Sequence, residues 1–199
     1  MSTKERRERE KRMRRETILR AADKIIRKYG IAGASMDKIA EEAELSKGAL
    51  YLYFPNKETL LVELQKERQE KLIKAFDEII HKEGEFEQLL GEIIDTTMSY
   101  FSENISFFRL AFHGLPGKLA EILTELKEVA SNFNRTMTEF GTRFFKRFYD
   151  KRKFWLSPRD MYLVLRGLMW SYLSEKTINA DINIETKTII RIFLKGVER

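Results

Sequence analysis

The sequence predicts an all-α protein, and three observations lead to this fold class. The chain has three prolines, and each of them, Pro55, Pro116 and Pro158, lies where a helical pattern breaks. Between these breaks, apolar residues recur at the spacing of an amphipathic helix. No alternation of apolar and polar residues, as in a strand, continues for more than a few positions. We therefore expect about nine helices, with an N-terminal three-helix module followed by a larger helical bundle.

The composition excludes several classes of protein. The chain has no cysteine, which rules out structural disulfides, thiolate catalysis and zinc sites built on cysteine. The longest uncharged run, residues 48–56, is far shorter than the roughly 20 apolar residues of a membrane span. The N-terminus is charged from Lys4 onward and lacks the apolar segment of a signal peptide. We therefore expect a cytoplasmic protein with no membrane partner.

Positive charge is concentrated at the N-terminus. Residues 1–57 contain 15 Lys and Arg against 9 Asp and Glu, whereas residues 58–199 contain 22 of each kind. The whole net charge of +6 therefore lies in the first 57 residues, which indicates a polyanionic partner. The basic segment at residues 4–15 either extends the first helix along phosphates or enters a minor groove. Its interleaved glutamates fit a solvated surface helix equally well. We divide the chain into a domain of residues 1–57 and a domain of residues 58–199.

The first domain has the pattern of three short helices. The first is predicted from about Arg14 to Tyr29, where glycines end the apolar stripe. Ser35 is a favourable N-cap for the second helix and Ser46 for the third, with a three-residue turn between them. Pro55 ends the third helix. Three such helices with a tight turn predict a helix-turn-helix, in which the third helix enters the major groove of DNA.

Residues of the third helix and its surroundings are the candidate DNA contacts. Gly48 allows close approach of the backbone to a phosphate. Tyr51 and Tyr53 point about 200° apart on a helix, so they cannot both be core residues. Without a DNA partner, they would be ordinary surface aromatics. The predicted DNA-binding residues are Ser35, Ser46, Lys47, Gly48, Tyr51, Tyr53 and Lys57.

The segment SMDKIAEEAELSKGALYLYFPNKETLL, residues 35–61, resembles the DNA-binding signature of the TetR family of transcriptional regulators. The matching positions are Ser35, Ile39, Ala40, Ala43, Ser46, Lys47, Gly48, Tyr51, Tyr53, Phe54, Lys57, Glu58 and Leu60. Glu44 departs from the family pattern, which usually has glycine in this turn. A left-handed conformation would cost a non-glycine residue about 1 kcal/mol there. The resemblance implies a homodimer that binds an inverted-repeat operator on double-stranded DNA, acts as a repressor and is released by a small hydrophobic or aromatic effector.

The second domain is predicted to continue with helices, and the resemblance implies that it dimerises and binds the effector. The helices are expected at about 85–103, 105–114, 117–149, 158–178 and 183–198. Ligand sites are mostly apolar with a few polar groups that fix orientation. The candidate apolar wall is Met98, Phe101, Phe108, Phe112, Phe133, Met137, Phe140 and Trp170, and the candidate polar groups are His113, Asn134, Arg166 and Tyr172.

The last two helices are the candidate dimer interface, because two helices from each subunit can form a four-helix contact. The candidate residues are Leu165, Leu168, Ile189, Ile190, Phe193 and Val197. Helical spacing alone fits ordinary core packing as well as a ligand wall or an interface.

Besides a ligand-responsive regulator, the sequence allows two other function classes: an enzyme, and a DNA-binding protein without a ligand. An enzyme is disfavoured, because the chain has two histidines and none of the metal-binding, phosphate-binding or nucleophile motifs. We expect no cofactor and no metal. A constitutive or architectural DNA-binding protein without a ligand remains open.

Overall fold

The computed structural model describes residues 2–108, 120–179 and 181–198, and these are predominantly helical. The helices are Thr3–Gly33 (α1), Met36–Glu42 (α2), Lys47–Tyr53 (α3), Lys57–His81 (α4), Phe86–Glu103 (α5), Ala120–Arg147 (α6), Pro158–Lys176 (α7) and Thr186–Val197 (α8). Residues 105–108 are also helical. Within the described ranges, extended pairing is limited to one bridge between Phe154 and Glu198. The all-α prediction is confirmed, and none of the described helices is long and apolar enough to cross a membrane.

The described residues form two compact units. The first contains residues 2–68 and 120–126, and the second contains 69–108, 127–179 and 181–198. The division after Arg68 falls inside α4, whereas the charge distribution predicts a boundary after Lys57. Packing continues beyond the basic segment because the first turns of α4 bury Leu60, Leu61 and Leu64. The domain boundary at residue 57 stays a prediction.

Ion pairs join α4 to α1 within the first unit. Arg15 donates to Glu63 at 2.7 Å, and the buried Arg68 donates to Asp23. Burial by itself would raise the pKa of Asp23, but hydrogen bonds from Arg68 and Arg27 outweigh it and lower that pKa. These contacts explain why the first unit continues to Arg68.

Helix α1 is longer than its apolar pattern predicts. Its buried side chains begin at Ile18, yet the helix starts at Thr3. Ser2 and Glu5 form a capping box, in which each side chain accepts a hydrogen bond from the other residue's backbone N–H. The Lys, Arg and Glu residues that follow are good helix formers without any core contact. Of the two alternatives for residues 4–15, the free protein has the helical extension, and its role at phosphates stays a prediction.

The break predicted at Gly30 is a kink inside α1. Gly30 has φ 70° and ψ 171°, a conformation that side chains disfavour. One more helical turn follows, and the N–H of Ala34 donates to the carbonyl of Gly30 at 3.1 Å. The chain is thereby redirected into Ser35, the N-cap of α2.

The second unit has a core rich in phenylalanine, in which α5 packs against α7 and α8. Phe101, Phe144 and Phe193 are fully buried there. The ring of Tyr162 on α7 lies against the backbone of Gly141 on α6. Burial raises the pKa of Tyr162 to about 12.

The turn between α2 and α3 has the left-handed geometry considered for Glu44. This residue has φ 54°, and its N–H donates to the carbonyl of Glu41 at 3.0 Å. The N–H of Leu45 donates to the carbonyl of Ala40 at 2.9 Å. The two bonds together form a Schellman motif, in which glycine usually holds the left-handed position.

Replacement of Glu44 by glycine should therefore stabilise the protein. We expect a gain of about 1 kcal/mol from relief of the left-handed strain, reduced in part by the larger entropy of glycine in the unfolded chain. Denaturant unfolding of the Glu44→Gly variant measures this gain. Glu44→Ala removes the same carboxylate but keeps the strain, so an equal gain in both variants would contradict the assignment.

Candidate nucleic-acid interface and effector site

Helix α3 is held in the first unit by one buried side. Leu50 and the adjoining Phe54 are completely buried, and Ser46 caps the helix by accepting from the N–H of Ala49 at 3.2 Å. Because a seven-residue helix has little stability of its own, its position depends on these contacts. The opposite side of α3 faces solvent.

The exposed side of α3 carries most of the predicted contact residues. Lys47 and Gly48 are exposed, Tyr51 is 43% exposed and Tyr53 is half-buried. A Cβ atom added at Gly48 would meet nothing within 4 Å, and its φ is not in the left-handed region. Neither the packing nor the backbone of the free protein therefore requires a glycine here.

Leu52 belongs to the same surface and was not predicted. Its side chain is 86% exposed, the largest exposure among the large apolar residues of the described chain. An apolar side chain on a recognition helix can contact the methyl group of thymine. Leu52 lies between Tyr51 and Tyr53 in the sequence, on the side of the helix away from Leu50 and Phe54. This position is the sequence signal that indicates its exposure.

Lys47 is paired in the free protein. Its Nζ lies 2.7 Å from Oδ1 of Asp37 on α2, and this hydrogen bond raises the pKa of Lys47. Both side chains are exposed, so the pair is weak and a phosphate can displace the carboxylate. The ion pair holds the ammonium group near the exposed side of α3.

Ser35 and Ser46 occupy the N-cap positions that the sequence predicts. The Oγ of Ser35 accepts from the N–H of Lys38 at 3.3 Å, and Ser46 makes the equivalent bond to Ala49. Both serines are exposed, so each hydroxyl can still donate its hydrogen to an outside acceptor. Their role as DNA contacts stays a prediction.

The sequence predicts that Lys57 contacts a phosphate, but in the free protein its side chain contacts the end of α1. Its Nζ donates to the carbonyls of Ile31 at 2.5 Å and Ala34 at 2.6 Å, where α1 ends. The side chain is half-buried, and burial lowers the pKa of Lys57. In the free protein the ammonium group therefore caps α1, a role that sequence spacing could not reveal.

The comparison with known families concerns this same unit. A family model described as bacterial regulatory proteins, tetR family, matches residues 18–64. The helix-turn-helix region of this chain is therefore of the TetR-family type. The matched residues extend from the core of α1 to the first turns of α4, so they contain the whole helix-turn-helix.

Curated relatives of this chain are matched over part of their length. The fatty acid metabolism regulator protein of Bacillus subtilis is 33% identical over 82 residues, which is 41% of this chain and 42% of the relative. An uncharacterized HTH-type transcriptional regulator of the same organism, YerO, is 21% identical over 193 residues, 93% of this chain and 63% of the relative. The chain thus spans less than two thirds of both relatives.

Solved structures with the same fold are matched along nearly the whole chain. A TetR-family regulator from Mesorhizobium loti has a TM-score of 0.76 at 18% identity, covering 95% of this chain and 98% of that one. The transcriptional regulator FadR of Bacillus subtilis, solved in complex with stearoyl-CoA, has a TM-score of 0.66 at 19% identity and covers 91% and 98%. At these identities, the likeness establishes the fold.

Part of the predicted effector wall forms one aromatic cluster in the second unit. The rings of Phe101 and Phe108 stack with centroids 4.2 Å apart, and Tyr100 lies 6.2 Å from Phe108 and 6.1 Å from Phe133. Trp170, 46% exposed, meets Phe108 edge-on at 5.9 Å. We call these five residues the aromatic cluster; Tyr100 is its one member that the sequence did not single out.

The other predicted wall residues belong to the core of the same unit or lie outside the described residues. Met137 and Phe140 are buried in the core of the unit, and Met98 packs against that core. Arg143 lies over the ring of Phe140 at 4.4 Å. The candidates Phe112 and His113 lie outside the described residues.

The predicted polar groups have contacts within the unit. Arg166 donates to the Oγ1 of Thr138 at 3.2 Å. The Tyr172 hydroxyl donates to the Ile182 carbonyl at 2.9 Å and accepts from the N–H of Ile184 at 3.0 Å, so it holds the segment before α8. Asn134 is exposed.

Asn104, which the sequence analysis did not single out, has a buried and unsatisfied polar atom. The residue is 2% exposed and its Nδ2 donates to the Tyr100 carbonyl at 2.6 Å. Its Oδ1 is buried and accepts no hydrogen bond from the residues that the structure describes. Because an unpaired buried carbonyl is costly, this oxygen is a candidate acceptor for a ligand donor.

The predicted dimer residues differ in how much of their surface is exposed in a single chain. Four of them have no surface to offer to a partner, because they are buried in the core of their own unit: Leu165, Ile189, Phe193 and Val197. Leu168 is 37% exposed and Ile190 half-buried. The exposed apolar side chains on α7 and α8 include Val164, Leu168 and Ile192. A dimer through these helices stays a prediction and would have to use such residues.

Proposed function

We propose that this TetR-family protein is a homodimeric repressor that binds an inverted-repeat operator and is released by a small hydrophobic effector. The observation that carries the proposal is the solvent-facing side of α3. On that side the space around the Cα of Gly48 is open, and the large side chains of Tyr51 and Leu52 are exposed. A positively charged module whose helix exposes its backbone at a glycine and several side chains to solvent fits the major groove of DNA.

A dimer follows from the size of the recognition helix. Seven residues read few base pairs, and two half-sites about 34–36 Å apart are the usual solution for a helix-turn-helix. The exposed apolar residues Val164, Leu168 and Ile192 support α7 and α8 as the interface.

An acyl-CoA is the effector class that we propose to test first. The aromatic cluster supplies apolar surface, and the unpaired Oδ1 of Asn104 supplies one acceptor. The name of a relative, fatty acid metabolism regulator protein, and a solved regulator in complex with stearoyl-CoA, both from Bacillus subtilis, support the same class.

Selection of binding sites from a random duplex pool at about 150 mM salt tests the DNA-binding part, because nonspecific backbone binding is already reduced there. Enrichment of an inverted repeat supports a sequence-specific dimer. Binding without enrichment that vanishes as salt rises would favour the architectural alternative.

Thermal unfolding with stearoyl-CoA tests the effector part. A ligand at 100 times its dissociation constant stabilises the folded state by about 2.7 kcal/mol. Free coenzyme A is the matched control, since it has the same phosphates without the acyl chain. An unchanged melting temperature with both would remove the acyl-CoA proposal and leave DNA binding untouched.

Replacement of Gly48 by alanine should separate stability from function. Alanine has the higher helix propensity and its methyl group meets nothing in the free protein, so we expect a gain of up to about 1 kcal/mol. Affinity for the selected operator should fall at least about tenfold, because the methyl group prevents close approach to a phosphate. Fluorescence anisotropy and denaturant unfolding measure the two effects.

Gly196→Ala is the matched control, because Gly196 is also exposed in a helix and its added Cβ also meets nothing. It should leave operator affinity unchanged when both variants are compared at protein concentrations at which they are dimeric. Full operator affinity in Gly48→Ala would show that α3 does not approach the DNA backbone.

A further inference from the structure

We propose that the N-terminal part of α1 is a second DNA contact, in which one line of cations lies along the phosphates of the duplex. These residues, Lys4, Arg7, Lys11 and Arg14, are called the cationic stripe. The inference rests on the proposed DNA binding and adds a surface that the helix-turn-helix does not contain.

The stripe lies on a helix that projects from its unit. Every side chain from Thr3 to Arg14 is exposed, and the first buried residue of α1 is Ile18. Twelve residues at 1.5 Å per residue give about 18 Å of helix without core contacts. The charged residues on this length therefore serve no packing role in the described protein.

The four cations share one side of the helix. They lie at positions i, i+3, i+7 and i+10, which fall within an arc of about 80° at 100° per residue. No acidic residue of the segment falls within that arc. On another side, Arg6 is paired with Glu10 at 2.8 Å, and at the base of the segment Arg15 is paired with Glu63.

The cations of the stripe, by contrast, have no intramolecular partner among the residues that the structure describes. None of them takes part in an ion pair, and none donates a side-chain hydrogen bond. Because the same segment forms an ion pair elsewhere, the absence of one along this arc leaves its full charge available to an outside anion.

The cationic stripe lies on the same side of α1 as the residues that are buried further along the helix. Ile18, Ala22 and Ile25 lie on the same arc as the cations when the helix is followed at 100° per residue. That side packs against the rest of the first unit, and beyond the packed part it carries the cations. The cations therefore lie on the same side of α1 that, further along the helix, packs against the rest of the first unit.

A duplex fits this surface better than a membrane does. Successive cations are about 4.5–6 Å apart along the helix, and double-stranded DNA has one negative charge per about 1.7 Å of axis. The one large apolar residue of the segment, Met13, is exposed on the opposite side. A membrane-binding helix needs an apolar face beside its cations, and this segment has none.

The test compares two triple variants of equal charge. Arg7→Gln, Lys11→Gln and Arg14→Gln remove three cations of the stripe, and Arg6→Gln, Arg9→Gln and Arg12→Gln remove three outside it. Fluorescence anisotropy measures binding to a mixed-sequence duplex of about 40 base pairs between about 50 and 300 mM salt. Circular dichroism verifies that both variants keep the helix content of the wild type.

The stripe variant should lower the slope of log affinity against log salt by about 2.7, since each phosphate contact contributes about 0.9. The control variant should lower it by less than about 1. Equal changes in the two variants, or an unchanged slope in the stripe variant, would overturn the inference.

Two further outcomes have separate meanings. If the stripe variant loses binding to phosphatidylglycerol vesicles and retains the wild-type slope on DNA, the partner is a membrane and the inference is overturned. If the wild type binds no duplex at any salt concentration, the proposed function itself fails. A wild type that selects an operator, with a stripe variant of unchanged slope, contradicts only the inference.

Discussion

Gly141→Ala should be the most destabilising glycine substitution in the described part of the chain. The Cβ of an alanine would lie 1.9 Å from Cδ2 of Tyr162 and 2.2 Å from its Cγ, while both residues are buried between α6 and α7. The ring cannot move away without displacing its own core neighbours. We expect the free energy of unfolding to fall by about 3 kcal/mol, at the upper end for overpacking. Denaturant unfolding measures the loss.

Two further variants separate overpacking from a general effect of alanine. Gly167→Ala on α7 introduces a methyl group that meets nothing within 4 Å, so it should stabilise by up to about 1 kcal/mol. Adding Tyr162→Leu to Gly141→Ala should recover at least about 1 kcal/mol relative to the sum of the two single changes. Additive losses would mean that the ring and the glycine are not in contact.

Lys57→Met should destabilise the first unit, although Lys57 was first expected to act at DNA. The substitution keeps the aliphatic stem and removes both hydrogen bonds to the carbonyls of Ile31 and Ala34. Because hydrogen bonds to a charged group contribute about 1.5–3 kcal/mol, we expect a loss of about 2 kcal/mol. Denaturant unfolding in the absence of DNA measures this loss directly.

Lys24→Met is the matched control, because Lys24 is an exposed lysine with one ion pair to Glu42. It should cost less than about 1 kcal/mol. If Lys57→Met left the stability unchanged and lowered only the affinity for DNA, the ammonium group would act at a phosphate, as the sequence suggested.

Local signals in the sequence predicted the elements of the first unit well. Ser35, Ser46 and Pro55 mark helix ends by chemistry that acts within one turn, and the structure places the helix boundaries beside them. The left-handed turn at Glu44 could be anticipated because the resemblance supplied the glycine position. The start of α1 was placed too late, because the segment before Ile18 has no apolar pattern although it folds as a helix.

Interactions between distant parts of the chain could not be predicted in the same way. The cap that Lys57 forms on α1 joins residues more than 20 positions apart, and nothing in the spacing indicates it. Buried Leu165 and Phe193 have the same helical spacing as interface residues, so only packing separates the two roles. The sequence places Asn104 between two predicted helices and indicates neither its burial nor its unpaired oxygen.

The open glycine of α3 has a consequence for engineering. A screen that selects variants by melting temperature would retain alanine at Gly48, because nothing in the isolated protein opposes the added methyl group. Glycine at this position lowers intrinsic stability, and in our proposal its benefit appears only when DNA is present. Thermostabilised forms of this protein should therefore be selected in the presence of operator DNA, so that the optimisation does not remove the activity.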